Sequence, residues 1–453
     1  MKQFLERSKP ASLNKEQAVV EKSGEKEIVG SDKKKKSTIA ALDGVRAVAT
    51  LSVLTFHINS LTHDSLWSMN QYPLLSAFST FGGSGVTLFF VLSGFLLFLP
   101  YAKALLFQER WPAARQFYLR RALRIIPGYY VALFLMILLF QPQYLQPSYW
   151  KRLALFLTFL MDSSPATWRQ LNGPFWTLAV EWQFYMLLPV IAFLFYVVAR
   201  RISAAPQQRL VAMLACCGGL MLWGLFIRHE GIYFAQHLDQ TLLVPRPVLN
   251  VVLFFLYGVQ GKYLENFAVG MSICLCYSFA QKPGVGDGLM KWAKRLSPGL
   301  FGLGLLVITF AAIWHFQVLV HHMPLFSVLD PWKTKFDWLN EMVIAIGYGT
   351  CMAAILFGPR ALKWLFETRL LGWIGLISYG IYMWHLPLLT YFNQQVVPHL
   401  PAMGIYRAYA AHWLWALLVV IPVAALSYLC VERPFIRLGN RRREAKVLAP
   451  VKG

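Results

Sequence analysis

Residues 409–430 read YAAHWLWALLVVIPVAALSYLC and contain no Asp, Glu, Lys or Arg. A transmembrane helix needs about 20 consecutive, mainly apolar residues. The segment 125–140, IIPGYYVALFLMILLF, has the same character and is slightly shorter. The core of a soluble domain does not need uncharged blocks of this length, so these segments predict helices that cross a membrane.

The overall composition agrees with this prediction. Of 453 residues, 57% are hydrophobic and 14% are charged, and the mean hydropathy is +0.48. A soluble protein carries about 25% charged residues. The chain is therefore predicted to be an all-α, polytopic membrane protein, located in the cell membrane, with a bacterial inner membrane as the expected setting.

Ten membrane-spanning helices are predicted from the apolar blocks. They cover residues 39–62, 84–107, 125–140, 176–199, 210–228, 248–264, 299–320, 341–358, 370–396 and 408–431. Two further apolar stretches, 153–161 and 267–280, are expected to be interfacial or re-entrant because the first is short and the second is weakly polar.

The chain is divided accordingly into three parts. Residues 39–435 form the predicted transmembrane domain. Residues 1–38 are polar and rich in lysine, which predicts a disordered basic cytoplasmic tail. Residues 436–453 are predicted to form a second basic cytoplasmic tail.

The net charge of +22 is spread over short segments between the apolar blocks. With the N-terminus inside, 33 of the 43 Lys and Arg residues fall on the inner side. Cytoplasmic segments of membrane proteins carry this excess of positive charge. The distribution predicts that both termini are cytoplasmic and that the protein contacts a lipid bilayer, and it argues against a nucleic-acid partner.

The six cysteines all lie in or beside apolar stretches, and none forms a C-x-x-C pair with histidine partners. Buried cysteines of this kind usually behave as small apolar side chains. No metal site and no permanently bound cofactor are predicted.

The first span contains three ionisable residues, Asp43, Arg46 and His57. Charges inside a bilayer are costly and commonly functional. Arg46 and His57 are eleven positions apart, which places them on one helical face about 16 Å apart along the axis. We interpret them as an anion-binding group and a titratable group on one surface. The alternative is an arginine that reaches the membrane surface and a hydrogen-bonded core histidine.

Three arginines, Arg120, Arg121 and Arg124, precede the third apolar block. Residues three or four apart share a helical face. Guanidinium groups suit bidentate contacts with phosphate. This spacing is compatible with phosphate binding and with positive charge that only sets the membrane topology, and it does not distinguish between them.

Glu181 lies about 8 Å below the outer surface in the fourth span, at a depth similar to that of His57. A carboxylate near an imidazole orients the ring. We therefore expect Glu181 to lie near His57. His385, in the ninth span, is interpreted as a second polar group of that cavity or as a hydrogen-bonded packing residue. Ser93, followed by Gly94, is either a site residue or part of a small-residue packing surface.

Several blocks together resemble the acyltransferase-3 family of membrane O-acyltransferases. The first is Leu42-Asp43-Gly44-Val45-Arg46 followed by Phe56-His57. The others are FFVLSGF at 89–95, RRALRIIP at 120–127, WTLAVEWQFY at 176–185, SYGIYMWHLP at 378–387 and ERPF at 432–435. Tyr185 and Tyr382 belong to these blocks and are expected to support the site.

The resemblance implies ten core helices and cytoplasmic acyl-CoA, commonly acetyl-CoA, as the donor substrate. It implies that His57 and Arg46 are required, and that the block containing Arg120, Arg121 and Arg124 is associated with the donor. Some relatives carry a C-terminal SGNH-type domain outside the membrane. No such domain follows residue 435 in this sequence, so we expect a stand-alone form.

Three aspects of the reaction remain open at this stage. His57 is expected to act either as a general base or as the carrier of the acyl group. The hydroxyl acceptor is a glycan, a lipid-linked sugar or a small molecule, reached directly or through a separate partner protein. A transporter or flippase, with Arg46, His57 and Glu181 as an ion or proton path, is the alternative function.

The charge distribution generates a topology test. We expect cysteines introduced at positions 165 and 330 to react with an impermeant thiol reagent applied from outside, because few positive charges lie there. A cysteine at position 115 should be protected. Labelling of a Cys-less background in intact cells measures this. Protection at position 165 would show that 153–161 spans the membrane and would contradict the topology.

Overall fold

The computed structural model describes residues 40–62, 72–202, 204–242, 244–320, 323–401 and 404–439. The regular structure in these residues is helical, and none of them forms a strand. The all-α prediction is confirmed. The tail predicted at 1–38 lies outside the described residues, as does 440–453, whereas residues 436–439 continue the last helix.

The described residues form sixteen α-helices followed by a final helical stretch at 433–439, and several of these are joined by short 3₁₀ or π turns. They are α1 (Ala40–Leu61), α2 (Pro73–Thr80), α3 (Gly85–Phe107), α4 (Ala114–Phe140), α5 (Trp150–Leu157), α6 (Phe175–Ala199), α7 (Pro206–Gln236), α8 (Arg246–Leu256), α9 (Leu264–Ala280), α10 (Asp287–His315), α11 (Lys333–Phe357), α12 (Arg360–Trp364), α13 (Arg369–Leu376), α14 (Ser378–Tyr391), α15 (Ile405–Trp415) and α16 (Ile421–Ser427).

Eight helical stretches of the described residues are long and apolar enough to cross a membrane. They are Ala40–Leu61, Pro73–Phe107, Ala114–Phe140, Phe175–Ala199, Pro206–Gln236, Asp287–Val320, Pro324–Phe357 and Ile405–Gly439. These stretches define a multi-pass membrane protein. The two remaining predicted spans, the sixth and the ninth, have a different structure.

The sixth predicted span, 248–264, is wrong as a single helix, because α8 and α9 are separate. Gly258 and Gly261, in the connection, have φ angles of 73° and 93°. Glycine adopts this left-handed conformation readily, and it ends a helix. The segment 267–280, expected at an interface or in a re-entrant loop, therefore belongs to α9, which is largely buried.

The connection between α8 and α9 also corrects the predicted position of one charge. Lys262, near the inner end of the sixth predicted span, counts among the 33 inner positive charges, but its Nζ lies 2.5 Å from Oδ2 of Asp162. Asp162 belongs to the segment between α4 and α6, which also contains position 165, predicted to lie outside. The two residues therefore occupy the same end of the bundle.

Two shorter elements complete the comparison with the predicted spans. The ninth span, 370–396, is interrupted at Ile377, between α13 and α14. The doubtful stretch 153–161 overlaps α5, which has 8 residues and is about 12 Å long. A helix of that length is too short to cross the hydrocarbon layer.

The centre of the bundle is the contact between α3 and α9. A Cβ atom at Gly94 of α3 would lie 2.1 Å from the carbonyl oxygen of Phe267, and one at Gly270 of α9 would lie 2.0 Å from that of Val91. Such separations are shorter than any real contact. The two backbones therefore touch through glycines, as small residues allow in membrane helices.

A buried ion pair joins α9 to α7. The Nη2 atom of Arg228 lies 2.5 Å from Oε1 of Glu265, and both side chains are at most 5% exposed. Arg228 also donates to the carbonyl oxygen of Gln260, at 2.7 Å. Polar groups inside a membrane protein require such partners because lipid provides none.

Chain segments distant in sequence meet at one end of the bundle. The backbone of Gly44, near the start of α1, packs against the carbonyl of Phe366, and Gly439 lies beside Arg120 of α4. We call this the arginine end. The region around His57 and His385, which lies beyond Tyr382 of the cavity described below, is called the histidine end.

The close packing of α3 and α9 generates a stability prediction. Gly94→Ala should lower the free energy of unfolding by about 1–3 kcal/mol or more, because the new methyl group would force the two backbones apart. Gly218→Ala on α7 is the matched control, since nothing lies within 4 Å of a Cβ atom there. Thermal unfolding of both variants in detergent measures the effect. Equal midpoints would contradict the backbone contact.

Candidate active site

A cavity lies among α1, α3, α4, α6 and the start of α14. Its apolar wall comes mainly from α3. The polar residues that line it are Arg46, Ser93, Arg121, Arg124, Thr177, Glu181, Tyr185, Ser378, Tyr379 and Tyr382. Three guanidinium groups thus face one carboxylate, so the charge balance of the lining favours an anionic ligand.

Arg46 is fixed on α1 by its neighbour one turn earlier. Its Nη1 lies 2.6 Å from Oδ1 of Asp43, and the two side chains are 23% and 30% exposed. A residue three positions back on a helix lies on the same face. Asp43 therefore orients Arg46 towards the cavity but does not itself line it.

The arginines of α4 occupy different positions. Arg121 and Arg124 line the cavity, whereas Arg120 does not. The guanidinium of Arg121 lies 6.0 Å from the ring centre of Phe117 and 5.9 Å from that of Tyr185. Its Nε is buried and has no hydrogen-bond partner among the described residues. Arg121 therefore retains an unused donor beside the cavity.

Glu181 accepts two hydrogen bonds from side chains of the cavity wall. Ser93 donates to Oε1 at 2.6 Å, and Tyr185 donates to the same oxygen at 2.5 Å. Ser93 is thus a site residue, while the adjacent Gly94 supplies the packing surface towards α9. The structure places Glu181 among the polar groups of the cavity and does not bring it into hydrogen-bond contact with His57.

His57 contacts a second imidazole. Its Nδ1 lies 2.9 Å from the carbonyl oxygen of Val53 and 3.2 Å from Nε2 of His385. The ring centres are 4.9 Å apart. His57 is partly exposed, whereas His385 is buried. His385 therefore contacts His57, but neither imidazole is among the residues that line the cavity.

The hydrogen bonds assign the tautomers of both rings. The Nδ1 of His385 lies 3.0 Å from the carbonyl oxygen of Ile381 and 2.9 Å from that of Tyr382. Because carbonyl oxygens only accept, this Nδ1 carries the proton and Nε2 accepts. The Nδ1 of His57 faces two acceptors, the carbonyl oxygen of Val53 and Nε2 of His385, so it carries the ring proton and shares it between them. The lone pair of the neutral His57 ring therefore lies on Nε2.

Tyr382 connects the cavity with the imidazole pair. It lines the cavity, and its ring centre is 5.8 Å from that of His385. Its hydroxyl lies 2.8 Å from Oγ1 of Thr177, which itself donates to the carbonyl of Pro174. Tyr382 therefore donates to Thr177 and is held at the boundary between the cavity and the histidine end.

Four residues in or beside the cavity were not identified from the sequence as candidates: Thr177, Ser378, Tyr379 and Glu432. Tyr379 lines the cavity, and its hydroxyl donates to the carbonyl of Ile125 at 3.0 Å. Glu432 is 3% exposed, and its Cγ lies 3.6 Å from the position of a Cβ atom at Gly128 of α4. Tyr379 and Glu432 both fall inside quoted sequence blocks, but nothing in their spacing indicates that they face α4.

The helical membrane bundle encloses a cavity lined by three arginines and one carboxylate, and the His57–His385 pair lies beside Tyr382 of that lining. The family model described as an acyltransferase domain matches residues 39–432. The chain belongs to the acyltransferase-3 family.

Curated relatives carry more specific descriptions. The putative peptidoglycan O-acetyltransferase YrhL of Bacillus subtilis is 25% identical over 438 residues, covering 90% of this chain and 56% of that protein. The peptidoglycan O-acetyltransferase OatA of Listeria monocytogenes is 23% identical, covering 88% and 56%. OatA of Staphylococcus aureus is 24% identical, covering 88% and 58%. The chain thus spans little more than half the length of these relatives. No solved structure shows significant similarity to it.

Proposed function

We propose that this chain is a membrane O-acyltransferase that moves an acyl group, most simply acetyl, from cytoplasmic acyl-CoA to a hydroxyl group of a glycan or glycan precursor. One observation carries the proposal: Tyr382 joins a cavity lined by three arginines to the His57–His385 pair. The names of the curated relatives, which are O-acetyltransferases, support it.

The arginine end would bind the phosphates of the donor. CoA phosphates are too strongly charged to enter hydrocarbon, so they would remain near the membrane surface beside Arg121 and Arg124. Arg120, outside the cavity lining, would extend this charged surface. Arg46 would contact the donor deeper in the cavity.

The distance between the two ends fits the donor. Arg46 and His57 are about 16 Å apart along α1. The pantetheine arm of CoA, extended, is on the order of 15–20 Å long by the same kind of length estimate. Phosphates held at the arginine end would therefore allow the thioester to reach the imidazole pair, with Tyr382 beside its path.

His57 would act as the general base through Nε2. The acceptor hydroxyl would give its proton to Nε2 while its oxygen bonds to the thioester carbonyl carbon. The carbon–sulfur bond would then break, and the CoA thiolate would take the proton from His57. The products are the acyl ester and free CoA, and no further reactant is needed.

His385 would serve as a positioning residue. Its Nε2 shares the Nδ1 proton of His57 with the carbonyl oxygen of Val53, and together these acceptors keep Nε2 of His57 in the basic form. In many enzymes a carboxylate fills this role. Glu181, expected to do so here, would instead balance the arginine charges and fix Ser93 and Tyr185.

The transporter alternative has no separate support in the hydrogen bonds of the described residues. An ion or proton path would link Arg46, Glu181 and His57. Glu181 and His57 have different partners, so these bonds provide no continuous path between them.

The donor site is tested by arginine substitutions. Arg124→Gln should weaken CoA binding by about 10- to 100-fold, the loss of one charge-assisted hydrogen bond. Arg115→Gln is the matched control, because Arg115 lies on the same helix but is exposed and does not line the cavity. Calorimetric titration of the detergent-purified protein with CoA measures both. Equal affinities would leave the arginines as topology signals.

The chemical step is tested by histidine substitutions. His57→Ala should lower kcat by about 10²- to 10⁴-fold, with CoA affinity nearly unchanged. His385→Leu should lower kcat, and His385→Gln should lower it less because an amide oxygen can still accept from Nδ1 of His57. His412→Leu is the control for loss of a buried imidazole elsewhere. Release of CoA from acetyl-CoA measures turnover.

Two outcomes would contradict this mechanism. Near-normal transfer by a correctly inserted His57→Ala protein would remove His57 from the chemical step. Equal kcat values for His385→Leu and His385→Gln would remove the positioning role of His385 while leaving His57 as the base.

A further inference from the structure

The segment 164–174 lies between the 3₁₀ turn Met161–Ser163 and α6 and contains two strained residues. Arg169 has a φ angle of 55° and Leu171 of 61°. Left-handed backbone costs free energy for any residue other than glycine, and it is found preferentially where function requires it. The segment has no catalytic role in the mechanism above.

Two contacts fix this segment over the histidine end. Nδ2 of Asn172 donates to the carbonyl oxygen of Met383 at 2.8 Å. A Cβ atom at Gly173 would lie 2.7 Å from Cδ2 of Leu386, so the backbone passes directly beside that side chain. Met383 and Leu386 flank His385 in sequence. The segment therefore packs against the middle of α14, close in sequence to His385.

Asn172 retains an unused acceptor at this position. Its side chain is 3% exposed, and Oδ1 has no hydrogen-bond partner among the described residues. The bond from Nδ2 to Met383 fixes which way the amide points. A buried amide oxygen without a partner is unfavourable. A ligand hydroxyl that donates to it would remove this cost.

Arg169 supplies a positive charge at the same place. Its side chain is exposed, and its guanidinium lies 5.5 Å from the ring centre of Trp168. It forms no ion pair with a carboxylate of the described residues, and it belongs to the same segment as Asn172 and Gly173, which contact α14. Arg169 is therefore a cation without an ion-pair partner among the described residues, in the segment that packs against α14 beside His385.

We propose that Arg169 and Asn172 form the acceptor subsite, and that the acceptor carries an anionic group as well as its hydroxyls. Arg169 binds the anionic group, a carboxylate or a phosphate. Asn172 Oδ1 accepts a hydrogen bond from one acceptor hydroxyl, which leaves a neighbouring hydroxyl facing Nε2 of His57. This inference rests on the proposed acyltransferase function and specifies its acceptor class.

The proposal gives the donor and the acceptor separate anion-binding sites. The donor phosphates bind at the arginine end, and the acceptor anion binds beyond His57, so the two anions do not compete for one site. Because Arg169 is exposed, its contribution should weaken as salt screens it. The donor site, which is more buried, should respond less.

Two pairs of sugars test the charge preference. N-acetylmuramic acid is compared with its methyl ester, and N-acetylglucosamine 1-phosphate with N-acetylglucosamine, by binding to the purified protein in neutral-lipid nanodiscs. We expect the anionic member of at least one pair to bind about 10-fold or more tightly than its neutral partner. A preference within the first pair identifies the anionic group as a carboxylate, and a preference within the second pair identifies it as a phosphate. Equal binding within both pairs, including no detectable binding, overturns the proposal.

Variants of the subsite complete the test. Arg169→Gln should abolish the preference for the anionic sugar and leave binding of the neutral sugar within about 2-fold. Asn172→Ala should weaken both members of a pair equally. Arg152→Gln is the control, because Arg152 is an exposed arginine of the preceding helix that stacks on Tyr149. Equal weakening of both members by Arg169→Gln would indicate a structural or lipid contact and overturn the inference.

A separate measurement distinguishes this inference from the proposed function. Binding of CoA and acceptor-independent hydrolysis of acetyl-CoA are measured in the unmodified protein, and CoA binding is also measured in Arg169→Gln, where it should not change. If the unmodified protein shows neither, the acyltransferase proposal itself fails. If both are normal and the anionic preference is absent, only the acceptor subsite is wrong.

Discussion

Lipid offers no hydrogen bonds, so each polar group within the bundle requires a partner from the protein itself. The structure meets this requirement for several buried charged groups with long-range pairs. Arg228 binds Glu265 across 37 positions of sequence, and Ser93 binds Glu181 across 88. Each pair fixes one helix against another. The arrangement of the bundle therefore depends on the polar residues as much as on the apolar majority.

Helix α3 shows how packing and chemistry share one element. Gly94 meets the backbone of α9, while Ser93, the residue before it, turns into the cavity and binds Glu181. Adjacent residues on a helix point about 100° apart. The position of Ser93 is therefore set by the close contact on the other side of the helix. A change in the α3–α9 distance would also displace the cavity wall.

The apolar blocks predicted most of the helices because a membrane-spanning helix requires a run of consecutive apolar residues, which the sequence shows directly. The break between α8 and α9 was missed because Gly258 and Gly261 lie in an apolar context and depart from helical geometry only in the folded chain. The sequence placed Glu181 and His57 at a similar depth in the bilayer. Equal depth does not show whether the two side chains face each other within the bundle. The partner of His57 proved to be His385, whose tautomer depends on backbone carbonyls that have no sequence signature.

The ion pair between α7 and α9 has a consequence for the synthesis of the protein. Arg228 precedes Glu265 by 37 residues, and α8 lies between them. At a translation rate of about 5–20 residues per second, Arg228 leaves the ribosome roughly 2–7 s before its partner. During that interval its long side chain must reach towards the membrane surface for water. Helix α7 can therefore take its final place in the bundle only after α9 has been inserted, so the order of assembly follows from a single buried charge.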